Sequence, residues 1–548
     1  MTTWRSMRPL TLLLLCGLCL SACGGGGSSG NTQTPTAPSP PSGSSGSDTS
    51  SGSGSTDSQN FRASGLYKDS CGDPRTDTAA QSFPDRLGRF EDEAYWLRSW
   101  TWETYLWYDE INYTDPEDIT PSAQGVIDYF DTLITPQRTP AGNPKDRFHY
   151  TRDTAEYQAV SGQGIVYGYG ASYELISATP PRELVISLVE ANSPAANAGI
   201  SRGARILEID GADLINGNDV DTLNAGLFPS RVGEQHSFRI LDRGASAPRT
   251  VTLSSAEIRE DPVPITRVIA IDSGDVGYLL FTSHIRTAEQ KLVDAVRSLR
   301  EQNITDLMLD LRYNGGGYLY IANQLAYMIA GSGVAGQTFG SLEFNNKNPN
   351  TNSVTGLPVQ PTAFLTTTVE ATPANSPLPT LNLPRSRVFV LTTSGTCSAS
   401  EALMNGLRGV GVEVIQIGAT TCGKPYGFYP QDNCGTTYFT TQFRSVNARG
   451  FGDYPDGFSA ANSPETATGV ALPGCFAAED YSPLGNTTDP FVAAALGYRQ
   501  NLVCPSSAQS GTAPSIGTSH PSRVSAETTQ EALVLTEPVL QDMFIAPR

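Results

Sequence analysis

The chain has 548 residues, 39% of them hydrophobic, and this length predicts several folded domains because it is too great for one hydrophobic core. Acidic residues number 55 against 36 basic ones, which gives a formal net charge of -19. A nucleic-acid phosphate backbone would be repelled by this charge, so we expect no nucleic-acid partner.

The amino terminus has the pattern of a bacterial export signal. Arg5 and Arg8 precede an apolar run over residues 10–20 that is too short to span a bilayer as a mature helix. The run ends in Leu-Ser-Ala-Cys23, which resembles the lipobox of bacterial lipoproteins, whose cysteine is acylated. An ordinary signal peptide that carries a cysteine is the alternative. We predict a signal peptide over residues 1–22 and a lipid anchor on Cys23. Because Gly24 rather than aspartate follows, the predicted location is the cell envelope, at the outer membrane and facing the periplasm.

Two further segments precede the central part of the chain. Residues 23–60 are predicted to be a disordered tether, because 24–58 contain almost only small and polar residues that cannot bury a core. Residues 61–160 are predicted to form a small helical domain with many tryptophan and tyrosine residues between Glu91 and Ile111. These aromatic residues could form a ligand surface, but packing in a core is the simpler interpretation.

Residues 163–256 change to short β-rich runs separated by turn residues. Within them, 191–211 read ANSPAANAGISRGARILEIDG, which resembles the central signature of PDZ domains. Ser193 and Pro194 suit the start of a short helix, and Gly199 suits its end. We therefore predict a PDZ domain over 161–258. Its predicted strands are Gly164–Tyr169, Leu184–Glu190, Arg205–Ile209, Ser237–Leu241 and Arg249–Leu253.

From residue 259 to 504, strand-like and helix-like segments alternate, which predicts a sheet covered by helices. The predicted strands are Val276–Phe281, Asp306–Leu311, Arg387–Leu391 and Val412–Ile417, and the predicted helices are Thr287–Gln302, Ile321–Ile329 and Ser400–Gly409. Residues 505–548 are predicted to be a mobile tail with a helical patch near Glu531–Leu535. The predicted fold class is α/β (α+β multidomain): a helical domain, a β-rich domain and an α/β domain.

Three segments at the ends of predicted strands carry the functional prediction. The first is the glycine-rich turn 310–317, DLRYNGGG, whose backbone N–H groups could hold a phosphate or an oxyanion. The second is 393–401, TSGTCSASE, where Ser398 lies between a strand and a helix, as a nucleophile does. On local sequence alone, a helix cap formed by Ser398 and Glu401 is the preferred interpretation.

The third segment, 418–427, reads GATTCGKPYG and changes that preference. Lys424 lies in an apolar, glycine-rich turn, and a buried lysine can be neutral because desolvation disfavours its charge. A neutral lysine can accept a proton from a serine without a histidine, and the chain has only four histidines.

Together, the three segments resemble the carboxy-terminal processing (tail-specific) proteases, in which DLRxNxGG, SASE and TxGK motifs follow a PDZ domain in this order. The resemblance covers about residues 163–430 and implies a crotonase/ClpP-like catalytic domain over 259–504. It implies that Ser398 is the nucleophile and Lys424, 26 positions later, is the general base. It also implies an oxyanion hole from the backbone N–H groups of Gly316 and Ala399. Ser400 and Glu401 would then be positioning and capping residues.

One position departs from the family pattern. Members often have a glutamine four residues after the lysine, which orients it, whereas this chain has Phe428. Gln431 is nearby but out of register. Either another group orients Lys424, or packing holds it.

The resemblance also implies partners. The PDZ domain would capture a carboxyl-terminal or internal segment of a substrate by strand addition. The loop Tyr167-Gly168-Tyr169-Gly170 lies where the family places its carboxylate-binding loop, although glycines there suit a plain turn equally well. Protein or peptide substrates and the membrane are the expected partners, no cofactor is expected, and the sequence does not indicate an oligomeric state.

Six of the nine cysteines lie beyond the predicted signal and anchor: Cys71, Cys397, Cys422, Cys434, Cys475 and Cys504. An even number in an exported protein predicts disulfides without fixing their pairing. Cys422 could pair with Cys397 or with Cys434. Because five of the six lie between 397 and 504, we expect the disulfides in the carboxyl-terminal part. No histidine and no close cysteine pair accompany them, so no metal site is expected.

These observations predict a serine endopeptidase of exported proteins. The first alternative is a catalytically inactive peptide-binding lipoprotein scaffold, which only Phe428 favours. The second is a crotonase-type acyl enzyme that uses the glycine turn for a thioester. The export signal opposes it, because coenzyme A thioesters are not expected outside the cytoplasm.

Overall fold

The computed structural model describes residues 61–77, 82–371, 373–463 and 468–505, together with the strand Met543–Phe544. The predicted signal peptide, the Cys23 anchor, the tether and the helical patch near Glu531–Leu535 lie outside the described residues. Within the described residues, no helix combines the length and apolar character needed to cross a membrane. Several sheets combine with helices in this part of the chain, which confirms the predicted mixed α/β fold class.

The amino-terminal region packs an aromatic helix against the rest of the protein. Its elements are β1 (Ser70–Cys71), β2 (Arg86–Leu87), α1 (Phe90–Thr104), α2 (Ala123–Phe130), β3 (Tyr150–Asp153) and α3 (Thr154–Gln158). Trp96 and Trp100 of α1 stack with their ring centroids 5.1 Å apart, and Trp96 contacts the ring of Tyr438 edge-on at 5.3 Å. Both tryptophans are buried in the cluster that also contains the main helices of the α/β region. The aromatic residues of α1 therefore serve as core.

The middle region forms a sheet with its own core. Its elements are β4 (Ile165–Gly168), β5 (Ala171–Ser177), β6 (Glu183–Val189), α4 (Pro194–Asn197), β7 (Arg205–Ile209), β8 (Ala212–Asp213), α5 (Val220–Leu227), β9 (Gln235–Leu241), β10 (Arg249–Ser254) and β11 (Ala256–Arg259). The strand order is β10-β9-β7-β6-β5, with antiparallel neighbours, and β8 pairs with β7. Ser193 Oγ accepts the Ala196 N–H at 3.1 Å, as the cap prediction requires. Leu184, Ile206 and Phe238 lie in a separate hydrophobic cluster beneath the sheet.

The α/β region is built on a central, mostly parallel sheet. Its first elements are β12 (Ile265–Ile269), β13 (Val276–Leu280), α6 (Ala288–Glu301), β14 (Asp306–Asp310), β15 (Gly317–Tyr318), α7 (Leu319–Ala330), β16 (Thr338–Glu343), β17 (Thr362–Ala363), β18 (Arg387–Thr392), α8 (Ala399–Gly409) and β19 (Glu413–Gly418). The strand order is β12-β13-β14-β18-β19, and every pair except β12–β13 is parallel. Because β14, β18 and β19 are parallel neighbours, the three predicted motifs follow them at one edge of the sheet.

The remaining elements extend this region. They are β20 (Tyr426–Gly427), β21 (Gln431–Asn433), β22 (Thr436–Phe439), β23 (Phe443–Asn447), β24 (Phe458–Ala460), β25 (Val470–Leu472), β26 (Gly474–Cys475), α9 (Pro490–Asn501) and β27 (Met543–Phe544). β26 continues the central sheet beside β19. A second sheet has the order β17-β16-β23-β20, and β3 of the amino-terminal region joins β21 and β22. The structure thus interleaves distant parts of the sequence.

Three disulfides join the six cysteines in the pairs Cys71–Cys434, Cys397–Cys422 and Cys475–Cys504. Two lie in the carboxyl-terminal part, as expected. The third spans 363 positions and ties β1 to the turn between β21 and β22. The pairing of Cys422 is thereby decided in favour of Cys397.

Candidate active site

The turn between β18 and α8 carries the predicted nucleophile. Ser398 immediately precedes α8, and its backbone has φ 59° and ψ -111°. A residue with a side chain rarely adopts positive φ, and strain of this kind concentrates at functional sites. The Ser398 side chain is completely buried. Ser398 and Glu401 form a capping box at the start of α8, as the local sequence predicted, although no hydrogen bond of standard geometry reaches Ser398 Oγ within the described residues. The position is therefore a helix cap, and it remains compatible with a nucleophile.

A buried carboxylate joins the serine turn to the lysine turn. Glu401 Oε2 accepts the backbone N–H of Ser398 at 3.0 Å and the backbone N–H of Lys424 at 2.8 Å. Its Oε1 accepts the Gly423 N–H at 2.9 Å and the Thr421 hydroxyl at 2.5 Å. Since both backbone nitrogens contact one oxygen, those of Ser398 and Lys424 lie at most about 5.8 Å apart. The structure therefore brings the two predicted dyad residues together.

The charge state of Glu401 follows from its partners. The pKa of Glu401 is raised overall because burial outweighs the hydrogen bonds accepted from Thr421, Lys424, Gly423 and Ser398, which lower it. All four partners are donors, and an ionised carboxylate can accept from all of them, whereas a protonated one would place a hydrogen against a donor. The geometry fits the carboxylate form.

The Lys424 side chain lies between aromatic rings. It is 1% exposed, and its Nζ is 4.1 Å from the ring centroid of Phe428 and 4.9 Å from that of Phe148. Phe428 thus contacts the lysine from the position where the family often has glutamine. Gln431 lies elsewhere, because its Oε1 accepts a hydrogen bond from Lys68 Nζ at 3.3 Å. Aromatic packing therefore contributes to the placement of Lys424.

Covalent and polar links reinforce the lysine turn. The Cys397–Cys422 disulfide joins the residue before Ser398 to the turn, with Cα atoms 5.1 Å apart, and the Cys422 N–H donates to Thr396 O at 3.0 Å. The guanidinium of Arg147, from the amino-terminal region, donates to Cys422 O. The Glu401 carboxylate lies within 4.8 Å of both cysteine sulfurs. Because these sulfurs are bonded to each other, they offer no thiolate to a metal.

The glycine turn after β14 is held by Asn314. Asn314 Nδ2 donates to Phe281 O at 3.0 Å, which fixes the amide so that Oδ1 accepts the Gly316 N–H, also at 3.0 Å. His284 Nδ1 lies 2.9 Å from the same Oδ1 and must therefore carry the proton in a neutral ring. Burial lowers the pKa of His284 to about 4. The predicted oxyanion donor Gly316 thus has its N–H engaged by a side chain within its own turn.

The same asparagine connects the glycine turn to the nucleophile turn. Asn314 O accepts the Cys397 N–H at 3.1 Å and the Ser400 hydroxyl at 3.0 Å. Ala399, the other predicted oxyanion donor, is the first residue of α8 and is completely buried. The amino terminus of α8 therefore lies next to the glycine turn.

A buried ion cluster anchors the start of the glycine turn. Arg312 is 1% exposed and contacts Asp310 at 2.7 Å, Asp489 at 2.6 Å and Glu479 at 3.0 Å. Its guanidinium also lies 4.4 Å from the ring centroid of Phe491. These charge-assisted bonds satisfy a guanidinium that could not otherwise be buried. Arg312 is therefore a structural residue of the motif.

The middle sheet reaches this motif through one arginine. Arg202, in the loop before β7, donates to the Tyr313 hydroxyl at 2.6 Å and contacts Glu479 at 2.7 Å. The Tyr313 hydroxyl donates to Glu479 at 2.8 Å. The residue between Arg312 and Asn314 thus contacts the middle region directly.

The predicted carboxylate-binding loop lies at the start of the middle region. Tyr167 is exposed and lies in β4, which pairs with β11. Gly168 ends β4, and Gly170 has φ 71°. Tyr169 is buried and donates its hydroxyl to Gly226 O of α5 at 3.0 Å. The loop therefore contacts α5.

Sequence reasoning missed several contributors to the site. Phe148 and Arg147 come from the amino-terminal region and reach Lys424 and its turn across more than 270 positions. No local motif marks them. His284 was missed although the scarcity of histidine was noted, because its partner Asn314 is 30 positions away.

The fold and the site together combine a mostly parallel sheet covered by helices with a buried serine at one strand-to-helix turn and a buried lysine on the adjacent turn. Residues 275–430 match the family model described as Peptidase family S41. The matched stretch is thus similar to that family, and it includes Gly316, Ser398 and Lys424.

Curated relatives are similar to this chain over part of their length. A carboxyl-terminal-processing protease of Synechocystis sp. is 29% identical over 171 residues, covering 30% of this chain and 38% of that protein. The chloroplastic carboxyl-terminal-processing peptidase 3 of Arabidopsis thaliana is 28% identical over 287 residues, covering 49% of this chain and 48% of that protein. The chain thus spans less than half the length of either relative.

A solved structure has a similar fold over most of the chain. A putative S41 protease from Bacteroides fragilis superposes with a TM-score of 0.55 at 22% identity, covering 77% of this chain and 99% of that one. The S41 protease fold therefore extends beyond the matched residues 275–430.

Proposed function

We propose that this chain is a serine endopeptidase that cleaves exported proteins, with Ser398 as nucleophile and Lys424 as general base. The observation that carries the proposal is the Glu401 carboxylate, which holds the backbone of both residues on one oxygen. The unpartnered, buried Ser398 hydroxyl adds support, as do the processing proteases among the relatives.

The proposed reaction uses a neutral Lys424. Ser398 Oγ attacks the carbonyl carbon of the scissile peptide while its proton passes to Lys424 Nζ, and a tetrahedral oxyanion forms. The Ala399 and Gly316 N–H groups would stabilise that oxyanion; Gly316 would have to share or release its bond to Asn314. The C–N bond then breaks, the ammonium returns its proton to the leaving amine, and water hydrolyses the acyl-serine ester.

Capture and location belong to the same proposal. The middle region would bind a peptide segment of the substrate as a PDZ domain does, with Tyr167, Gly168, Tyr169 and Gly170 as the carboxylate-binding loop. Acylation of Cys23 would hold the protein at the outer membrane, facing the periplasm. The three disulfides support an oxidising compartment.

The test is cleavage of an unfolded reporter protein by residues 61–548, together with labelling by a serine-reactive fluorophosphonate. Ser398→Ala should abolish both, and Lys424→Met, which keeps the side-chain volume, should lower both by at least about 10³-fold. Ser99→Ala and Lys145→Met are matched controls, because Ser99 is a buried serine of α1 and Lys145 is a half-buried lysine paired with Glu110. Cleavage that survives in Ser398→Ala would refute the assignment. Absence of any cleavage or labelling would favour a binding scaffold.

A further inference from the structure

The strand β15 has two edges, and the chain itself occupies both. On one edge, His284 N–H donates to Gly316 O at 2.9 Å, and Tyr318 N–H donates to His284 O at 2.8 Å. On the other edge, β27 pairs with β15 in parallel, with Met543 opposite Gly317 and Phe544 opposite Tyr318. Because His284 uses Gly316 O and Tyr318 N–H, the second edge presents the N–H and C=O of Gly317.

β27 lies where the proposed reaction would require the backbone of the substrate. β15 begins directly after Gly316, one of the proposed oxyanion donors. Cα atoms of β27 also come within 8 Å of those of β20, and β20 begins two residues after Lys424. A segment that runs between the oxyanion turn and the base turn lies across the space that a scissile peptide must enter.

The sequence around β27 suits such an occupant. Residues 539–546, VLQDMFIA, are mostly apolar and carry one acidic residue, whereas 506–530 consist largely of small and polar residues. An exposed β edge accepts an apolar strand through backbone hydrogen bonds, largely independently of its exact sequence. The 37 residues between Pro505 and Met543 could span up to about 130 Å, far more than the radius of a domain of this size.

We propose that the strand β27, Met543–Phe544, is an intramolecular ligand of the active-site cleft, held on the second edge of β15, and that it competes with substrate. The proposal rests on the proposed peptidase function for its inhibitory consequence, but not for the binding itself. A segment on the same chain has an effective concentration that can reach the order of 1 mM. With an intrinsic Kd of about 0.1 mM, it would raise the apparent KM about 10-fold.

Binding is tested without catalysis. A fluorescently labelled peptide with the sequence of residues 537–548 is titrated by anisotropy into Ser398→Ala protein ending at Pro505 and into Ser398→Ala protein with the full tail. We expect saturable binding to the truncated protein and about 10-fold weaker binding to the full one. A scrambled peptide of the same composition is the control. No binding to the truncated protein, or equal binding to both, would overturn the proposal.

The inhibitory consequence is tested with three active proteins. Ending the chain at Pro505 should lower the apparent KM for the reporter about 10-fold. Phe544→Pro in the full chain should do the same, because it removes an N–H on the paired strand. Ser525→Pro, in the same tail, should leave KM unchanged. KM that is equal in the full, truncated and Phe544→Pro proteins would refute inhibition.

Two further outcomes distinguish failure of the peptidase proposal from failure of the intramolecular ligand. If no protein cleaves the reporter while the peptide still binds the truncated form more tightly than the full one, the peptidase proposal fails and the tail ligand stands. If inhibition grows with protein concentration between 0.1 and 10 μM (about the usual assay range), the tail acts between molecules, because tethered inhibition is independent of concentration. The second result would overturn an intramolecular ligand.

Discussion

The carboxylate of Glu401 should affect the reactivity of Ser398 by positioning the two proposed dyad residues, although less strongly than loss of either one. Glu401→Gln keeps the shape but replaces one acceptor oxygen with an NH₂ group. In the better orientation, the amide oxygen faces Ser398 and Lys424, and the NH₂ group faces the Gly423 N–H. The buried Gly423 N–H then loses its hydrogen-bond acceptor, which costs about 1–3 kcal/mol of stability. The hydrogen bonds from the Ser398 and Lys424 N–H groups lose their charge assistance and weaken by about 1 kcal/mol each. Relief of carboxylate desolvation offsets part of this, so we expect a loss of about 2–4 kcal/mol in the free energy of unfolding.

A second buried carboxylate provides a matched control. Glu289 is 2% exposed and accepts the backbone N–H groups of Val369, Glu370 and Ala371 as well as Gln324 Nε2. It anchors a loop outside the described active site, so Glu289→Gln should cost similar stability. Only Glu401→Gln should also slow the second-order labelling of folded protein by fluorophosphonate, by about 10²-fold, because displacement of reacting groups by about 1 Å has that effect.

The assay combines urea unfolding with labelling rates measured well below the unfolding midpoint. The pH profile of labelling adds a readout that a purely structural role would leave unchanged, since the alignment of Lys424 with Ser398 sets the apparent pKa of the reaction. If both variants lose stability and both keep the parental labelling rate and pH profile, Glu401 is only a structural residue. That result would refute the positioning argument.

Two further predictions concern stability. Burial lowers the pKa of His284 from 6.5 to about 4 in the folded protein, so the unfolding free energy that depends on neutral His284 is fully present above pH 6.5. It declines by about 1.4 kcal/mol per pH unit as the pH falls toward 4, because the unfolded chain binds the proton first. His284→Gln should flatten the pH dependence of the unfolding free energy in this range, and an unchanged slope would contradict the assignment. Removing the Cys397–Cys422 disulfide by a double alanine substitution should lower the unfolding free energy by about 3 kcal/mol, and so should removing Cys475–Cys504, because the two loops span 25 and 29 positions. Only the loss of Cys397–Cys422 should slow fluorophosphonate labelling. Equal labelling of both variants would show that Glu401 alone holds the Ser398 and Lys424 turns together.

Much of the catalytic region was predictable because its motifs follow buried strands. Predicted and observed bounds agree within two residues for β14, β18 and β19, since runs such as 388–391 are continuously apolar and are followed by turn residues. Their parallel adjacency then forces the three turns to one edge. The same logic failed for α5, because Val220–Leu227 is short and contains asparagine and glycine, which weaken a helical pattern.

Long-range pairings were not predictable from the chain alone. Cys71 and Cys434 are separated by 363 positions, and no spacing rule connects them. The packing of Lys424 between aromatic rings likewise needs Phe148, which comes from a region that the sequence predicts to be an independent helical domain. In the structure, that region shares one hydrophobic cluster with the α/β core, so its contacts depend on tertiary packing, which local patterns do not encode.

The site therefore consists of two halves, with the glycine turn on one side and the turns of Ser398 and Lys424 on the other. Glu401 joins the Ser398 turn to the Lys424 turn, and Asn314 joins the glycine turn to the Ser398 turn through the Cys397 N–H and the Ser400 hydroxyl. A substrate carbonyl must contact both halves at once, since attack comes from one and oxyanion stabilisation depends partly on the other. The strand β27, on the second edge of β15, also approaches β20. Under the proposed tail inhibition, the occupant of that edge would control whether the two halves can act on the same peptide bond.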